Sequence, residues 1–244
     1  MKEKLYTIPV NDAFDRDCEC PICAMHKILE ENAVDYTMGP SYMEDDVRAE
    51  TDRLGFCQEH MRQLNLQKNK LGTALILKTH LEKTNKDIAK LAKHPIKGNS
   101  LFRKNTEGSP LLDYIDQLNN SCFICSRINE TFGRYIITVV QLYKTDSAFK
   151  EKYKASKGFC TEHLASLIRV AQKELSGDSL DEFIKTTLDL YLKNMKRMAD
   201  DLSWFVDKFD YRNANEPWGN SRDAIARAIV KTNGLLESEE KKKN

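Results

Sequence analysis

The sequence predicts an all-α protein made of two tandem pseudo-repeats of helices, each clipped by a Cys3His metal site. Three observations lead to this prediction. Apolar residues recur at helical spacing over long stretches, no segment alternates with the period of two that marks a half-buried strand, and one cysteine–histidine pattern occurs twice. The 244 residues are enough for one large domain or two small ones.

The repeat emerges when the chain is aligned with itself. CPIC at 20–23 matches CFIC at 122–125, an offset of 122 − 20 = 102. GFCQEH at 55–60 matches GFCTEH at 158–163, an offset of 160 − 57 = 103. Because the offset changes by one residue between the two motifs, we interpret the pattern as an internal duplication.

In the first repeat, local signals predict four helices. The first follows the CPIC turn over Ala24–Tyr36, and Met38-Gly39-Pro40 ends it. Ser41 and Glu44 have the S-x-x-E spacing of a capping box, which predicts a short helix through Leu54 and a left-handed stop at Gly55. A third helix begins near Cys57. A long amphipathic helix follows, with its face formed by Leu71, Ala74, Leu75, Lys78, Leu81, Ile88 and Leu91.

In the second repeat, Ser109-Pro110 caps a short helix over Leu111–Asn119. Apolar residues at helical spacing predict two longer helices in this repeat. The first face comprises Phe132, Tyr135, Ile136, Val139, Val140 and Tyr143. The second comprises Leu180, Phe183, Ile184, Leu188, Tyr191, Leu192, Met195, Met198, Leu202, Phe205 and Phe209.

These elements divide the chain into four segments. Residues 1–92 form the first repeat, and residues 93–109, rich in proline, glycine and serine, form a linker. Residues 110–236 form the second repeat with a C-terminal extension, and the polar residues 237–244 form a disordered tail.

The two sets of cysteine and histidine predict two metal sites. A CxxC turn directs two thiolates at one centre, and a distant Cys-x-x-His supplies the other two ligands of a tetrahedron. We expect each site to close within its own repeat. Three thiolates and one imidazole suit Zn²⁺, with an iron–sulfur cluster as the alternative. The expected ligand sets are Cys20, Cys23, Cys57 and His60, then Cys122, Cys125, Cys160 and His163.

The composition indicates the cellular compartment and argues against one class of binding partner. No apolar run is long enough to span a membrane, and no signal peptide is recognised, so we expect a cytoplasmic protein with reduced thiols. The net charge of +1 argues against a dedicated nucleic-acid binder. Cys18 is expected to lie outside both sites, because Asn120 takes its place in the second repeat.

No residue pattern identifies a catalytic centre. HExxH, P-loop, dinucleotide and nucleophile-elbow motifs are all absent. The candidates for an enzyme site are Asp45, Asp46 and Arg48 on an acidic helix at 44–52, together with His80, although we favour a solvated surface helix and a packed or solvated histidine as their explanation. In the block at 209–219, aromatic residues either pin the tail to the body or let Trp218 close a ligand cleft.

Several segments together resemble an uncharacterised family of clostridial cytoplasmic proteins. The resemblance covers nearly the whole chain and includes all eight cysteine and histidine positions. It implies an anaerobic bacterial setting and a domain of unknown function. The segments that carry it are MKEKLYTIPVNDAF, CECPIC, GPSYMEDDVRAETDRLGFCQEH, LGTALILKTHL, CFIC, SKGFCTEH and KFDYRNANEPWG.

Three functional hypotheses follow. The first is a helical binding or adaptor protein that structural zinc stabilises, with an unknown protein or small molecule as its partner. The second is an enzyme with its site between the repeats, at the acidic helix and His80. The third is an iron–sulfur redox or sensor protein.

Overall fold

Helices are the only regular secondary structure in the residues that a computed structural model describes, 4–94 and 109–234. The prediction of an all-α fold is confirmed. The described ranges also contain short 3₁₀ helices at Pro40–Met43, Tyr211–Asn213 and Gly219–Ser221. The α-helices are α1 (Lys4–Phe14), α2 (Pro21–Met38), α3 (Asp45–Leu54), α4 (Gln58–Leu66), α5 (Lys70–Leu91), α6 (Pro110–Asn119), α7 (Phe123–Thr145), α8 (Ser147–Ala155), α9 (Thr161–Glu174), α10 (Asp178–Asp207) and α11 (Ala224–Asn233).

Contacts between residues divide the chain into two units. One, called here the continuous unit, is Leu29–Glu130, and the other, the split unit, combines Met1–Ile28 with Thr131–Asn244. Helices α2 and α7 each have residues in both units. The units therefore do not coincide with the repeats expected at 1–92 and 110–236. Most of the predicted linker at 93–109, and the predicted tail at 237–244, lie outside the described residues.

The split unit is built on an aromatic core. Phe14 of α1 lies 4.9 Å from Phe149 and 5.7 Å from Tyr153 of α8, measured between ring centroids. Tyr153 is fully buried, and its hydroxyl lies 2.6 Å from Thr187 Oγ1 on α10. Phe183 completes this cluster, with its ring 5.5 Å from that of Tyr153. The helix predicted around 180–209 is thus confirmed as α10, which anchors the core.

The buried face of α10 differs in part from the predicted one. Leu192 is exposed, and the predicted face residue Phe209 lies beyond the end of α10 and is also exposed, whereas Thr187 and Asn194 are buried. Both polar side chains donate to carbonyl groups one turn back, at Phe183 and Leu190, so their burial leaves these donors satisfied. A similar difference occurs in the first repeat, where α5 exposes the predicted face residues Leu71 and Leu81.

In the continuous unit, α3 packs against α5. The predicted capping box is wrong: Ser41 lies in the 3₁₀ helix and donates its hydroxyl to the Tyr36 carbonyl, and α3 begins after Glu44 without a side-chain cap. Gly55 ends α3 with a φ of 58°, so the predicted positive φ is confirmed. Its ψ of −154° makes the backbone extended on that side, and a Cβ at Gly55 would lie 2.9 Å from His80 Cε1.

Candidate metal centres

All eight predicted ligands lie at the starts of four helices. Each CxxC has its first cysteine just before a helix and its second within the first turn, at α2 and α7. Each Cys-x-x-His does the same at α4 and α9. This i, i+3 spacing places both donors on one side of the first turn. The positive end of the helix dipole also favours thiolates at these positions.

The structure pairs the two motif types across the repeats. The ligand sets predicted within each repeat are therefore wrong, although the eight residues form two Cys3His groups as predicted. In each group all four donor atoms lie within 4.8 Å of one another. The split-unit group is Cys20, Cys23, Cys160 and His163, and the continuous-unit group is Cys57, His60, Cys122 and Cys125.

The reason for the crossed pairing is the course of the CxxC helices. Helix α2 begins in the split unit with its cysteines, and from Leu29 onward its residues belong to the continuous unit. Helix α7 does the reverse, with its cysteines in the continuous unit and its residues from Thr131 onward in the split unit. Each CxxC turn is thus in the same unit as the Cys-x-x-His turn of the other repeat.

The split-unit group is closed and fully buried. His163 Nδ1 lies 3.6 Å from Cys20 Sγ, 3.3 Å from Cys23 Sγ and 3.2 Å from Cys160 Sγ. The Sγ atoms of Cys23 and Cys160 are 3.7 Å apart. The His163 ring also packs edge-on against Phe132, with centroids 5.5 Å apart. These separations suit four donors around one tetrahedral ion.

The continuous-unit group has the same geometry with more exposure. His60 Nδ1 lies 3.2 Å from Cys57 Sγ, 3.3 Å from Cys122 Sγ and 3.3 Å from Cys125 Sγ. Cys57 and Cys125 are half-buried, while the other two ligands are buried. On the far side of the imidazole, His60 Nε2 lies 3.1 Å from Glu30 Oε1. A carboxylate in this position fixes the ring and makes the imidazole a stronger ligand.

The thiols and imidazoles within each group shift one another's pKa values. Burial lowers the pKa of His60, but Cys122 and Glu30 outweigh burial and raise that pKa to about 10. Burial raises the pKa of Cys122, yet the hydrogen bond with His60 brings it down to about 6. In the split unit, Cys20 and Cys23 lower the pKa of Cys160. Since a metal ion binds thiolates and a neutral imidazole, binding at either group would release the protons that these side chains still carry, and affinity would fall at low pH.

A buried charge network adjoins the split-unit group. Glu19, next to Cys20 in sequence, is buried and lies 2.5 Å from Arg197 Nη2. Arg227 Nη1 lies 3.6 Å from the other carboxylate oxygen of Glu19. Lys231, only 1% exposed, donates to the Glu19 carbonyl at 2.6 Å, and burial lowers the pKa of its ammonium. Sequence patterns gave no sign of this network, because its members are far apart along the chain.

Glu30 was also missed, because the equivalent position of the second repeat holds a phenylalanine and not a second carboxylate. Glu30 follows Cys20 by 30 − 20 = 10 residues, and Phe132 follows Cys122 by 132 − 122 = 10. These two residues are the ones that contact the histidines of the two Cys-x-x-His turns. A carboxylate at one position and a phenyl ring at the other therefore distinguish the surroundings of the two groups.

The remaining candidates lie outside the two groups. Cys18 is half-buried and belongs to neither, and burial raises the pKa of its thiol. Asp45 and Asp46 are exposed, while His80 Nδ1 lies 3.0 Å from the Asp52 carbonyl oxygen. Among the described residues, no hydrogen bond or ion pair joins His80 to Asp45, Asp46 or Arg48. Packing of α3 on α5 accounts for the place of His80.

The aromatic block after α10 folds back onto that helix. Trp204 Nε1 donates to the Pro217 carbonyl at 2.9 Å, and Trp218 packs on Phe205 with ring centroids 5.6 Å apart. Lys208 Nζ donates to the Glu216 carbonyl at 2.5 Å. These contacts favour the interpretation that the block pins the tail to the body.

Comparison with protein families gives a match that spans residues 1–239, to a family described as of unknown function and designated DUF6062. The chain belongs to DUF6062. The expected resemblance to a domain of unknown function is thereby confirmed. No curated protein and no solved structure matches the chain. None of the helices described for this DUF6062 member is both long and apolar enough to cross a bilayer.

Proposed function

We propose that the protein binds two zinc ions, one in each Cys3His group, and that these ions hold together the helical scaffold of a binding or adaptor protein. One observation carries the proposal: in each group three sulfur atoms and one imidazole nitrogen lie within 4.8 Å of one another. This is the donor set and spacing of a tetrahedral zinc site.

The donor set supports a structural role for the metal. Four protein ligands fill the tetrahedron, so no position is left for water or substrate. Each ion would connect helix starts that are distant in sequence, across 160 − 23 = 137 and 122 − 60 = 62 positions. All seven cysteines are free thiols, so the six ligand sulfur atoms are available to metal ions, as they would be in a reducing cytoplasm.

The two other hypotheses have less support. No hydrogen bond or ion pair joins Asp45, Asp46 or Arg48 to His80 within the described ranges, so the geometry there gives the enzyme hypothesis no support. An iron–sulfur cluster is a chemical alternative for soft donors, but clusters are most often held by four thiolates. Zinc is the simpler occupant of three thiolates and an imidazole.

Metal analysis of the purified protein tests the proposal. We expect two zinc ions per chain and a colourless solution. Replacement by Co²⁺ is expected to give the intense visible bands of tetrahedral thiolate coordination. A brown protein that contains iron and sulfide would overturn the zinc assignment, and less than one metal ion per chain after gentle purification would overturn the metal sites themselves.

A further inference from the structure

A cleft of about 600 Å³ opens in the split unit. The end of α8, the middle of α10 and the segment that leads into α11 form its walls. Five of the side chains that line it are cationic and one is a carboxylate, although the whole chain carries a net charge of only +1. The charged lining residues are Lys154, Lys157, Lys193, Arg197, Arg227 and Asp223.

Two carboxylates pair with the arginines of the cleft, the buried Glu19 and the half-buried Asp201. Arg197 Nη2 lies 2.5 Å from Glu19 Oε2, and Arg227 Nη1 lies 2.8 Å from Asp201 Oδ2. Arg227 also contacts Asp223 and the Asn220 carbonyl, so most of its donors are in use and it forms part of the frame. Arg197 Nε and Nη2 bond to Asn194 and Glu19, whereas Nη1 lies 3.8 Å from Asp201 Oδ2, beyond hydrogen-bond distance, so its donors remain for a ligand in the cleft.

The three lysines have weaker attachments. Lys154 pairs with Glu151 and Lys157 pairs with Asp17, and both carboxylates are largely exposed. Exposed ion pairs contribute about 0–1 kcal/mol, so an anionic ligand can replace them at little cost. Lys193 makes no ion pair with any residue in the described ranges. The ammonium groups of all three lysines are thus available to a ligand, next to two arginines that carboxylates hold in place.

Comparison with the first repeat indicates that these cations are not part of the common scaffold. At the offset of 103 that relates the two GFC motifs, Lys154 corresponds to Thr51 and Lys157 to Leu54. Both repeats build a Cys-x-x-His turn just afterwards, so the turn itself does not need the lysines. Their presence in the second repeat calls for another role.

We propose that this cleft binds a small molecule with two or more linked phosphate groups. Lys154, Lys157 and Lys193 contact the phosphates, and Arg197 donates further hydrogen bonds to them. Lysine ammonium groups bind phosphate as point charges, and arginine adds directional donors. Pockets for small molecules typically measure about 300–1,000 Å³, and this cleft falls within that range. The proposal extends beyond the zinc sites and does not depend on them.

Titration of the full-length protein, with its metal as purified, tests this site. Calorimetry is performed with pyrophosphate, inorganic phosphate and citrate. We expect pyrophosphate to bind more tightly than the other two anions. Lys193→Gln should raise the Kd for pyrophosphate about tenfold, the cost of one charge-assisted contact. The control Lys196→Gln lies on the same helix but outside the cleft lining and should leave the Kd unchanged.

A substitution that is expected to strengthen pyrophosphate binding makes the test sharper. Asp223→Asn removes the one carboxylate among the described lining residues and should lower the Kd for pyrophosphate several-fold. Absence of pyrophosphate binding, equal binding of citrate, or equal effects of Lys193→Gln and Lys196→Gln would overturn the proposal. Because these substitutions lie outside the ligand sets, the zinc content of each sample reports separately on the metal sites.

Discussion

At the scale of single residues, the clearest difference between the two Cys3His groups is the neighbour of the histidine. Glu30 contacts His60 Nε2 at 3.1 Å, whereas the ring beside His163 is that of Phe132. Loss of such a carboxylate typically weakens metal binding about 10–100-fold. We expect Glu30→Gln to lower the zinc affinity of the continuous-unit group by that factor, as measured by competition with a chromophoric chelator.

The control for this prediction is Glu31→Gln, an exposed neighbour on the same helix. It removes the same charge without removing a carboxylate from His60. If both substitutions weakened one zinc ion equally, the effect would be one of overall charge and the contact with His60 would have no special role.

A second residue-scale prediction contrasts a ligand with a bystander. Cys160 belongs to the buried split-unit group, whereas Cys18 lies outside both groups. Structural zinc contributes on the order of 10 kcal/mol to the folding of small peptides. A change of 1 kcal/mol shifts the Tm of a protein of this size by about 2–4 °C. We therefore expect Cys160→Ser to lower the Tm by more than about 10 °C and Cys18→Ser to change it little, in calorimetric melts.

Similar melts for the two cysteine variants would contradict a structural role for the metal. The same conclusion would follow if a strong chelator removed the zinc and left helicity and melting unchanged.

The ligands were predictable at this scale because each has a sequence neighbour that completes a recognisable spacing. CxxC and Cys-x-x-His are local patterns, and the identity of all eight donors follows from them. Glu30 has no such neighbour. Its contact with His60 depends on how α2 approaches α4, which tertiary packing decides.

At the scale of elements, two glycines allow a matched test of backbone strain. Gly55 has a φ of 58°, and a Cβ there would lie 2.9 Å from the His80 ring. Gly133 lies inside α7, where an added Cβ would meet no other atom within 4 Å. We expect Gly55→Ala to destabilise the protein by about 1–3 kcal/mol, the range for a strained backbone conformation.

Gly133→Ala should instead stabilise the protein by about 0.5–1 kcal/mol, since alanine is the better residue inside a helix. Denaturant titrations of both variants measure these changes. Equal effects of the same sign at the two positions would contradict the assigned conformation of Gly55.

Helix existence was predictable, but the buried faces were only partly so. Apolar periodicity located α7 and α10, and every predicted face residue of α7 except Phe132 is buried. On α10 it could not identify Thr187 and Asn194 as buried. Their side chains donate to carbonyl groups of their own helix, so they enter the core without the penalty that hydropathy assigns to them. The capping box failed because Ser41 has a different acceptor, the Tyr36 carbonyl.

At the scale of the whole molecule, the crossed pairing of motifs can be tested by double substitution. Cys20 and Cys160 belong to one group, and Cys57 belongs to the other. The double variant Cys20→Ser, Cys160→Ser should therefore lose one bound zinc ion per chain. The double variant Cys20→Ser, Cys57→Ser should lose both ions. Elemental analysis of the two double variants distinguishes these outcomes, and the reverse result would restore pairing within each repeat.

Sequence could not predict this pairing. The two CxxC turns are alike, as are the two Cys-x-x-His turns, so spacing alone permits either combination. The shorter loops within a repeat favour local closure on entropic grounds, but loop-closure entropy grows only slowly with loop length. Helices α2 and α7 each have residues in both units, and which Cys-x-x-His turn meets each CxxC turn depends on tertiary packing.

The crossed pairing also sets an order of assembly during protein synthesis. The ligands of the continuous-unit group, 57 to 125, are nested inside the interval from 20 to 163 that the split-unit group closes. A growing chain therefore completes the nested set first, and it must add 163 − 125 = 38 residues before the outer set is complete. At about 5–20 residues per second this interval lasts about 2–8 s. Throughout that time the CxxC at 20–23 has been made without its partner turn, so its two thiols are open to other metal ions or oxidants when the inner donor set is already complete.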